Sequence, residues 1–186
     1  MLQVQLADVE SYSCVFVQPA DPACGYLVQL TAQHVELARL AQAECDLKPP
    51  VLQPRPGLAV AVRWAREGWF RAVIGECTDT SVFVKYVDYG TRDWVGDSMF
   101  VKEMPEEWLT LPALAIPVHL DIEAVETDLD VVTGLMMECL LTWEQDMLVK
   151  VVQVEEGGKL RGHLVNKTNG DLVYKGLVKE GIIRIM

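Results

Sequence analysis

The sequence predicts a mainly β protein with helices: a small five-stranded barrel inserted into a larger β-barrel and connected to it by a long helix. Three observations carry this. Five short β-patterned runs with turn-like gaps fill residues 57–104. A helical pattern and a proline-rich connector stand just before them. Two β segments at the N-terminus have no neighbours to pair with, and two strands alone do not make a stable sheet in water. Their natural partners are the strands after residue 115, on the far side of the small barrel.

In order, "LQVQLADV" and "YSCVFVQ" read as strands, with "ESYS" as the turn between them. "DPACGYLVQLTAQHVELARLAQAE" reads as a helix whose apolar residues are Leu27, Leu30, Val35, Leu37 and Leu40. Four prolines in "LKPPVLQPRPG" end it and make an extended connector. The runs "LAVAVRW", "WFRAVIGEC", "SVFVKYVD", "TRDWV" and "MFVKEM" follow, separated by short gaps such as "AREG", "TDT" and "YG". After the acidic "PEEW" turn, "AIPVHLDIEAV" reads as a strand. "TDLDVVTGLMMECLLTW" reads as a helix with Leu135, Met136, Cys139 and Leu140 inward and Thr127 or Asp128 as N-cap. "DMLVKVVQVEE" and "KLRGHLVN" make a hairpin about "GG", and a last β segment and a short helical turn close the chain. The expected division is 1–50 (first part of the larger barrel plus linker helix), 51–104 (small barrel) and 105–186 (second part of the larger barrel).

Composition narrows the function. Hydrophobic residues make up 51% and charged residues 23% of 186, as in a folded soluble protein. No run of about 18 apolar residues occurs, so no membrane helix is expected. "MLQVQLADVE" lacks the basic and apolar regions of a secretory signal. Five cysteines without paired spacing and three histidines point to reduced thiols in the cytoplasm, with no metal and no cofactor. The formal net charge is −11, and residues 105–156, with 12 acidic groups and 1 basic group, hold the main acidic block. Residues 51–104 carry 7 of each sign. Such a block repels polyphosphate and attracts a cationic peptide; by itself it reads first as a solvating surface.

Aromatic residues single out one end of the small barrel. Along "SVFVKYVDYG", Val82, Val84 and Tyr86 share a face. Tyr89 lies three residues beyond Tyr86 and converges with it only if the chain bends, which Gly90 permits. Trp64 ends one strand and Phe70 begins the next. Trp64, Phe70, Tyr86 and Tyr89 therefore either wall a pocket for a weakly hydrated cation or interlock as core; spacing alone leaves both open. Trp69, Phe83 and Trp94 read as core. No arrangement for nucleophilic, metal-dependent or phosphoryl-transfer catalysis appears, and His34, His119 and His163 show no evident partners, so no enzyme activity is expected.

The stretch "PGLAVAVRWAREGWFRAVIGECTDTSVFVKYVDYGTRDWV" resembles a Tudor domain, with its "WYRA"-like second strand and "YxDYGN"-like third. The flanks resemble the extended form, in which a Tudor barrel interrupts an OB-like, staphylococcal-nuclease-like barrel. The resemblance implies a non-catalytic reader of symmetrically dimethylated arginine in Arg-rich tails of PIWI-type proteins. It further implies a cage of Trp64, Phe70, Tyr86 and Tyr89, with Asp88 as the acid of "DYG", and a cytoplasmic, germ-granule role in small-RNA silencing. Asp88 itself reads more readily as a turn-fixing carboxylate than as a ligand contact. Thr91 stands where the family commonly has Asn. Its hydroxyl has a shorter reach and lacks the amide's donor pair, so weak, altered or absent methylarginine recognition stays open beside the favoured reading. Two other readings stay open: a scaffold that does not use the cage, and single-stranded nucleic-acid binding, which the charge map disfavours.

Overall fold

The computed structural model describes residues 1–21, 25–64, 68–142, 147–156 and 159–186, without the side chains of residues 25–28, 30, 31, 38 and 98. In chain order come β1 (Leu2–Ser11), β2 (Cys14–Pro19) and α1 (Gly25–Leu47), then β3 (Ala59–Trp64), β4 (Gly68–Cys77), β5 (Val82–Tyr86) and β6 (Arg92–Val95). A 3-10 turn at Ser98–Phe100 leads into β7 (Val101–Glu103) and α2 (Glu106–Leu109). The chain continues with β8 (Ile116–Leu120), β9 (Ile122–Ala124), α3 (Leu129–Leu141), β10 (Met147–Val154), β11 (Leu160–Asn166), α4 (Lys175–Lys179) and β12 (Ile183–Ile185). The "GG" turn at 157–158, most of the "AREG" gap and the start of the first helical pattern at 22–24 lie outside the described residues.

By contacts the chain forms two units: Met1–Pro22 with Leu114–Met186, and Ala23–Ala113. The first is a closed barrel in the order β1-β10-β11-β8-β2, so the orphan N-terminal strands do find their partners beyond residue 115. Closure needs one parallel pair, β8 with β11; the other pairs are antiparallel. The segment expected as one strand, "AIPVHLDIEAV", is two. It breaks at Asp121, which accepts from Arg161, and β9 leaves the barrel to pair with β12. The barrel interior is filled by Val4, Val15, Val17, Val118, Met147, Val149 and Leu164.

Helix α3 covers this core with Val132, Met136 and Leu140, spaced by four residues and all fully buried. Leu135 and Cys139 pack beside them, partly buried. Asp128 caps the helix by accepting from the backbone N–H groups of Asp130 and Val131, both at 3.2 Å. Asp128→Ala is expected to lower the stability of this unit by about 1 kcal/mol, readable as a shift in its denaturant midpoint, because two orphan donors lose their acceptor.

The second unit is a five-stranded sheet in the order β6-β5-β4-β3-β7 around a core of Val60, Val62, Ala72, Ile74, Val82, Val84, Tyr86 and Val101. Its other face, over β3 and β4, is covered by α1 and α2 through a second core of Ala41, Cys45, Ala61, Trp69 and Trp108. The helix therefore buries His34, Ala41 and Cys45; of the expected apolar residues Leu37, partly buried, packs against this core, whereas Val35 and Leu40 are exposed and the side chains of Leu27 and Leu30 are outside the described residues. Small side chains face inward because two indole rings already occupy the gap. Burial, with Glu44 and Asp46 alongside, pushes the Cys45 thiol up to about 11, so it stays protonated. Cys14, Cys45, Cys77 and Cys139 are not joined in disulfides; Cys24 lies outside the described residues. No helix among the described residues is long and apolar enough to cross a membrane.

Candidate functional site

The end of the second unit's sheet is built by pairing that alternation dictates. β3 and β4 pair antiparallel with Val62 opposite Phe70 and Trp64 opposite Gly68. Residues opposite each other share a face, and alternate residues along a strand share it too. Val60, Val62 and Trp64 therefore lie on the core side with Phe70, Ala72 and Ile74, while Trp69 and Arg71 point to the helices. On β5, Val82, Val84 and Tyr86 take the same core side. Three of the four rings thus reach one place by strand geometry alone.

Tyr89 reaches it through a turn. The N–H groups of Tyr89 and Gly90 both donate to the Tyr86 carbonyl, at 3.3 and 2.8 Å, and Gly90 sits at φ 84°. That backbone conformation suits glycine and few other residues. The ring centroids of Trp64 and Phe70 are 6.3 Å apart, those of Phe70 and Tyr86 6.3 Å, and those of Phe70 and Tyr89 5.6 Å, all edge to face. Trp64 and Tyr86 stack at 5.1 Å with planes 27° apart. All four rings are therefore in one cluster.

A planar guanidinium between two parallel rings needs about 7 Å, two carbon contact distances of about 3.5 Å. Trp64 and Tyr86 are too close for that. Exposure separates the roles: Tyr86 is only 1% exposed and Phe70 half-buried, whereas Trp64 is 40% and Tyr89 42% exposed. Tyr86 is the floor of the cluster, and burial, with the Asp93 carboxylate near, pushes its phenol up to about 12. Two open concavities described in this unit lie along the proline connector and are not lined by the rings.

Thr91 lies on the floor beside Tyr86. The β5–β6 register runs Val84 with Asp93 and Lys85 with Arg92, and Tyr86 N–H donates to Thr91 O at 2.9 Å. The register thus places Thr91 opposite Tyr86 and on the same face. Its Oγ1 is buried and has no hydrogen-bond partner among the described residues. An unpaired buried hydroxyl costs about 1–3 kcal/mol, so this one stands out.

Asp88 faces Arg71. Its carboxylate takes Arg71 in bidentate fashion, Nε to Oδ2 at 2.9 Å and Nη2 to Oδ1. Arg71 Nη1 donates to the carbonyls of Trp108 and Leu111, and Nη2 to that of Pro112, all at 2.8 Å. Those bonds use all five guanidinium N–H groups. The proton between His34 Nε2 and Pro112 O (2.9 Å) must then belong to the imidazole, although Nε2 also lies 3.1 Å from Arg71 Nη2. One buried cation ties β4, the β5–β6 turn, the segment after α2 and α1 together. Arg71 was not singled out by the sequence, because nothing local marks an arginine whose acceptors are mostly distant carbonyls.

The remaining aromatics differ from expectation in part. Trp69 is buried, with its indole N–H on Asp46 at 2.9 Å. Trp94 is 49% exposed; it pairs with half-buried Phe83 on the outer face, centroids 5.1 Å apart. Neither Trp94 nor Phe83 is core, because β6 is an edge strand and Phe83 alternates away from Val82 and Val84. The histidines also have partners: His119 Nδ1 lies 3.1 Å from Glu155 and His163 Nδ1 2.9 Å from the Tyr174 hydroxyl.

A β-sheet unit set in sequence between the two halves of a closed five-stranded barrel, with exposed rings at its end, defines a class of binding module. The Tudor domain family model matches residues 7–122, more than half of the chain, and the chain belongs to that family. Tudor domains are binding modules. The whole chain has the fold of an extended Tudor domain. It superposes on the extended Tudor domain TD3 of mouse TDRD1, solved with a MILI peptide containing dimethylarginine 45, with a TM-score of 0.78 and 19% identity, covering 100% of this chain and 93% of that one. The human TDRD1 extended Tudor domain, solved with a symmetrically dimethylated peptide, matches with a TM-score of 0.75 and 23% identity over 97% and 88% of the two chains. The Drosophila melanogaster Papi extended Tudor domain matches at 0.76 and 18% over 100% and 98%. No curated protein sequence matches the chain.

Proposed function

We propose that this domain is a non-catalytic reader of a peptide carrying symmetrically dimethylated arginine, in an Arg-rich tail of the PIWI type. The observation that carries the reading is the pair of exposed rings, Trp64 and Tyr89, each edge to face with half-buried Phe70, which in turn packs on a buried Tyr86. Exposed rings fixed over an aromatic floor attract an alkylated, weakly hydrated cation, at roughly 0.5–2 kcal/mol per contact. The guanidinium lies against the open sides of Trp64 and Tyr89, over Phe70, and not between Trp64 and Tyr86. The domain takes no cofactor, and the acidic block at 105–156 favours basic residues flanking the mark. The complexes formed by mouse and human TDRD1 support the same ligand class, as does a variant of Drosophila Papi solved with a dimethylated N-terminal peptide of Piwi. The same relatives support a cytoplasmic place in germline small-RNA silencing.

Calorimetric titration with one Arg–Gly peptide in unmodified, symmetric and asymmetric dimethylated forms tests this. The symmetric form is expected to bind tightest and the unmodified form weakest. No binding of any of the three rejects the reading. A second reading, a scaffold that does not use the rings, is favoured by the closed Trp64–Tyr86 stack and by Thr91 in the Asn position. It predicts that a folded Phe70→Ala/Tyr86→Ala double variant captures its partner unchanged.

A further inference from the structure

Beside the rings, one side chain from the helix takes the place of a strand. Backbone groups of alternate residues in β4 point to the same side. The Arg71 carbonyl accepts from Val87 N–H at 3.1 Å, on the β5 side. Trp69, two residues earlier, turns its N–H and C=O to that same side. There β5 has ended, because the chain turns away over Tyr86–Gly90. Gln42 of α1 fills the gap: its Oε1 accepts from Trp69 N–H at 2.6 Å and its Nε2 donates to Trp69 O at 2.8 Å. The carboxamide reproduces the two-point pairing of an antiparallel strand.

The neighbouring residue is shaped to let it in. Gly68 has φ 121°, and a Cβ there would stand 2.5 Å from Gln42 Oε1. Asp46, one helical turn on, accepts the Trp69 indole N–H. Trp69 is thus held at main chain and side chain by one face of α1. Phe70 is its next residue, and Trp64 lies opposite Gly68.

We infer that Gln42 is a positioning residue for the ligand-binding rings: its two bonds to the Trp69 backbone set where Phe70 and Trp64 stand. This rests on the proposed methylarginine reading only for its binding consequence; the ring placement is independent of it.

The test uses the whole domain and two readouts. Ring placement is read by NMR, from the Trp64 indole resonance and the cross-peaks between the Trp64 and Tyr86 rings. Binding is read with the symmetrically dimethylated Arg–Gly peptide. Gln42→Ala is expected to weaken or lose the Trp64–Tyr86 cross-peaks and to reduce affinity about tenfold, the equivalent of one to two lost hydrogen bonds. Gln42→Glu keeps an acceptor for Trp69 N–H but sets an oxygen against Trp69 O, so it is expected to fall between wild type and Gln42→Ala. It also serves if Gln42→Ala does not fold. Gly68→Ala alone is expected to displace the rings; in the Gln42→Ala background its steric part disappears, so the two effects are less than additive. A lower melting temperature with unchanged cross-peaks and unchanged affinity overturns the inference and leaves Gln42 structural only. If the wild-type domain binds no peptide, the methylarginine reading fails, and the cross-peaks alone decide the role of Gln42.

Discussion

Asp88→Ala is expected to destabilise the Ala23–Ala113 unit by about 3–5 kcal/mol, because it strips the carboxylate from the cation at its centre. Arg71 is 6% exposed and Asp88 15%, so water does not replace the lost partner. Three carbonyls remain, but neutral dipoles offset only part of a buried positive charge. For a unit of this size the melting temperature should fall by on the order of 12–40 °C, seen by calorimetry. Asp88→Asn retains one acceptor and is expected to lose less. Arg71→Lys should resemble Asp88→Ala, since an ammonium cannot span five acceptors with a planar fork. A near-native melting temperature for Asp88→Ala would show that the network is not the unit's keystone.

The contrast between this network and the ring cluster shows what a sequence can and cannot display. Trp64, Phe70 and Tyr86 converge by period-two alternation on adjacent strands, and Gly90 announces the turn that brings Tyr89 back. Both features are local, so both are legible. The pairing of the N-terminal strands with those beyond residue 115 is also legible, because two strands without neighbours must seek them elsewhere. Arg71 is not: its acceptors lie 17 to 41 residues away, and three are main-chain carbonyls that any side chain can accompany. Gln42 is hidden for the same reason. The inward face of α1 misleads in part because Ala41 and Cys45 pack against two tryptophans: Leu37 is partly buried against that core, whereas Val35 and Leu40, large aliphatics and so the usual markers of burial, sit on the outer face. Trp94 misleads because alternation assigns a residue to a face of the sheet without saying what covers that face.

Thr91 separates the stability of the site from its purpose. In the free domain the buried Oγ1 has no partner among the described residues, so Thr91→Val, which keeps the shape and removes the hydroxyl, is expected to raise stability by about 1 kcal/mol. A threonine-to-valine change in a core normally costs stability, because the hydroxyl normally has a partner. Here the sign should reverse, and a denaturant titration reads it directly. Thr91→Asn acts on binding instead. It places a carboxamide oxygen further out on the face shared with Tyr86, where a guanidinium N–H over Phe70 can use it. Affinity for the symmetrically dimethylated peptide is expected to rise about tenfold, the equivalent of one charge-assisted hydrogen bond. If Thr91→Val lowers stability, the hydroxyl has a partner in solution, water being the obvious one. If Thr91→Asn leaves affinity unchanged while the wild type still binds, the ligand does not turn an N–H toward this floor, and the rings alone determine its grip.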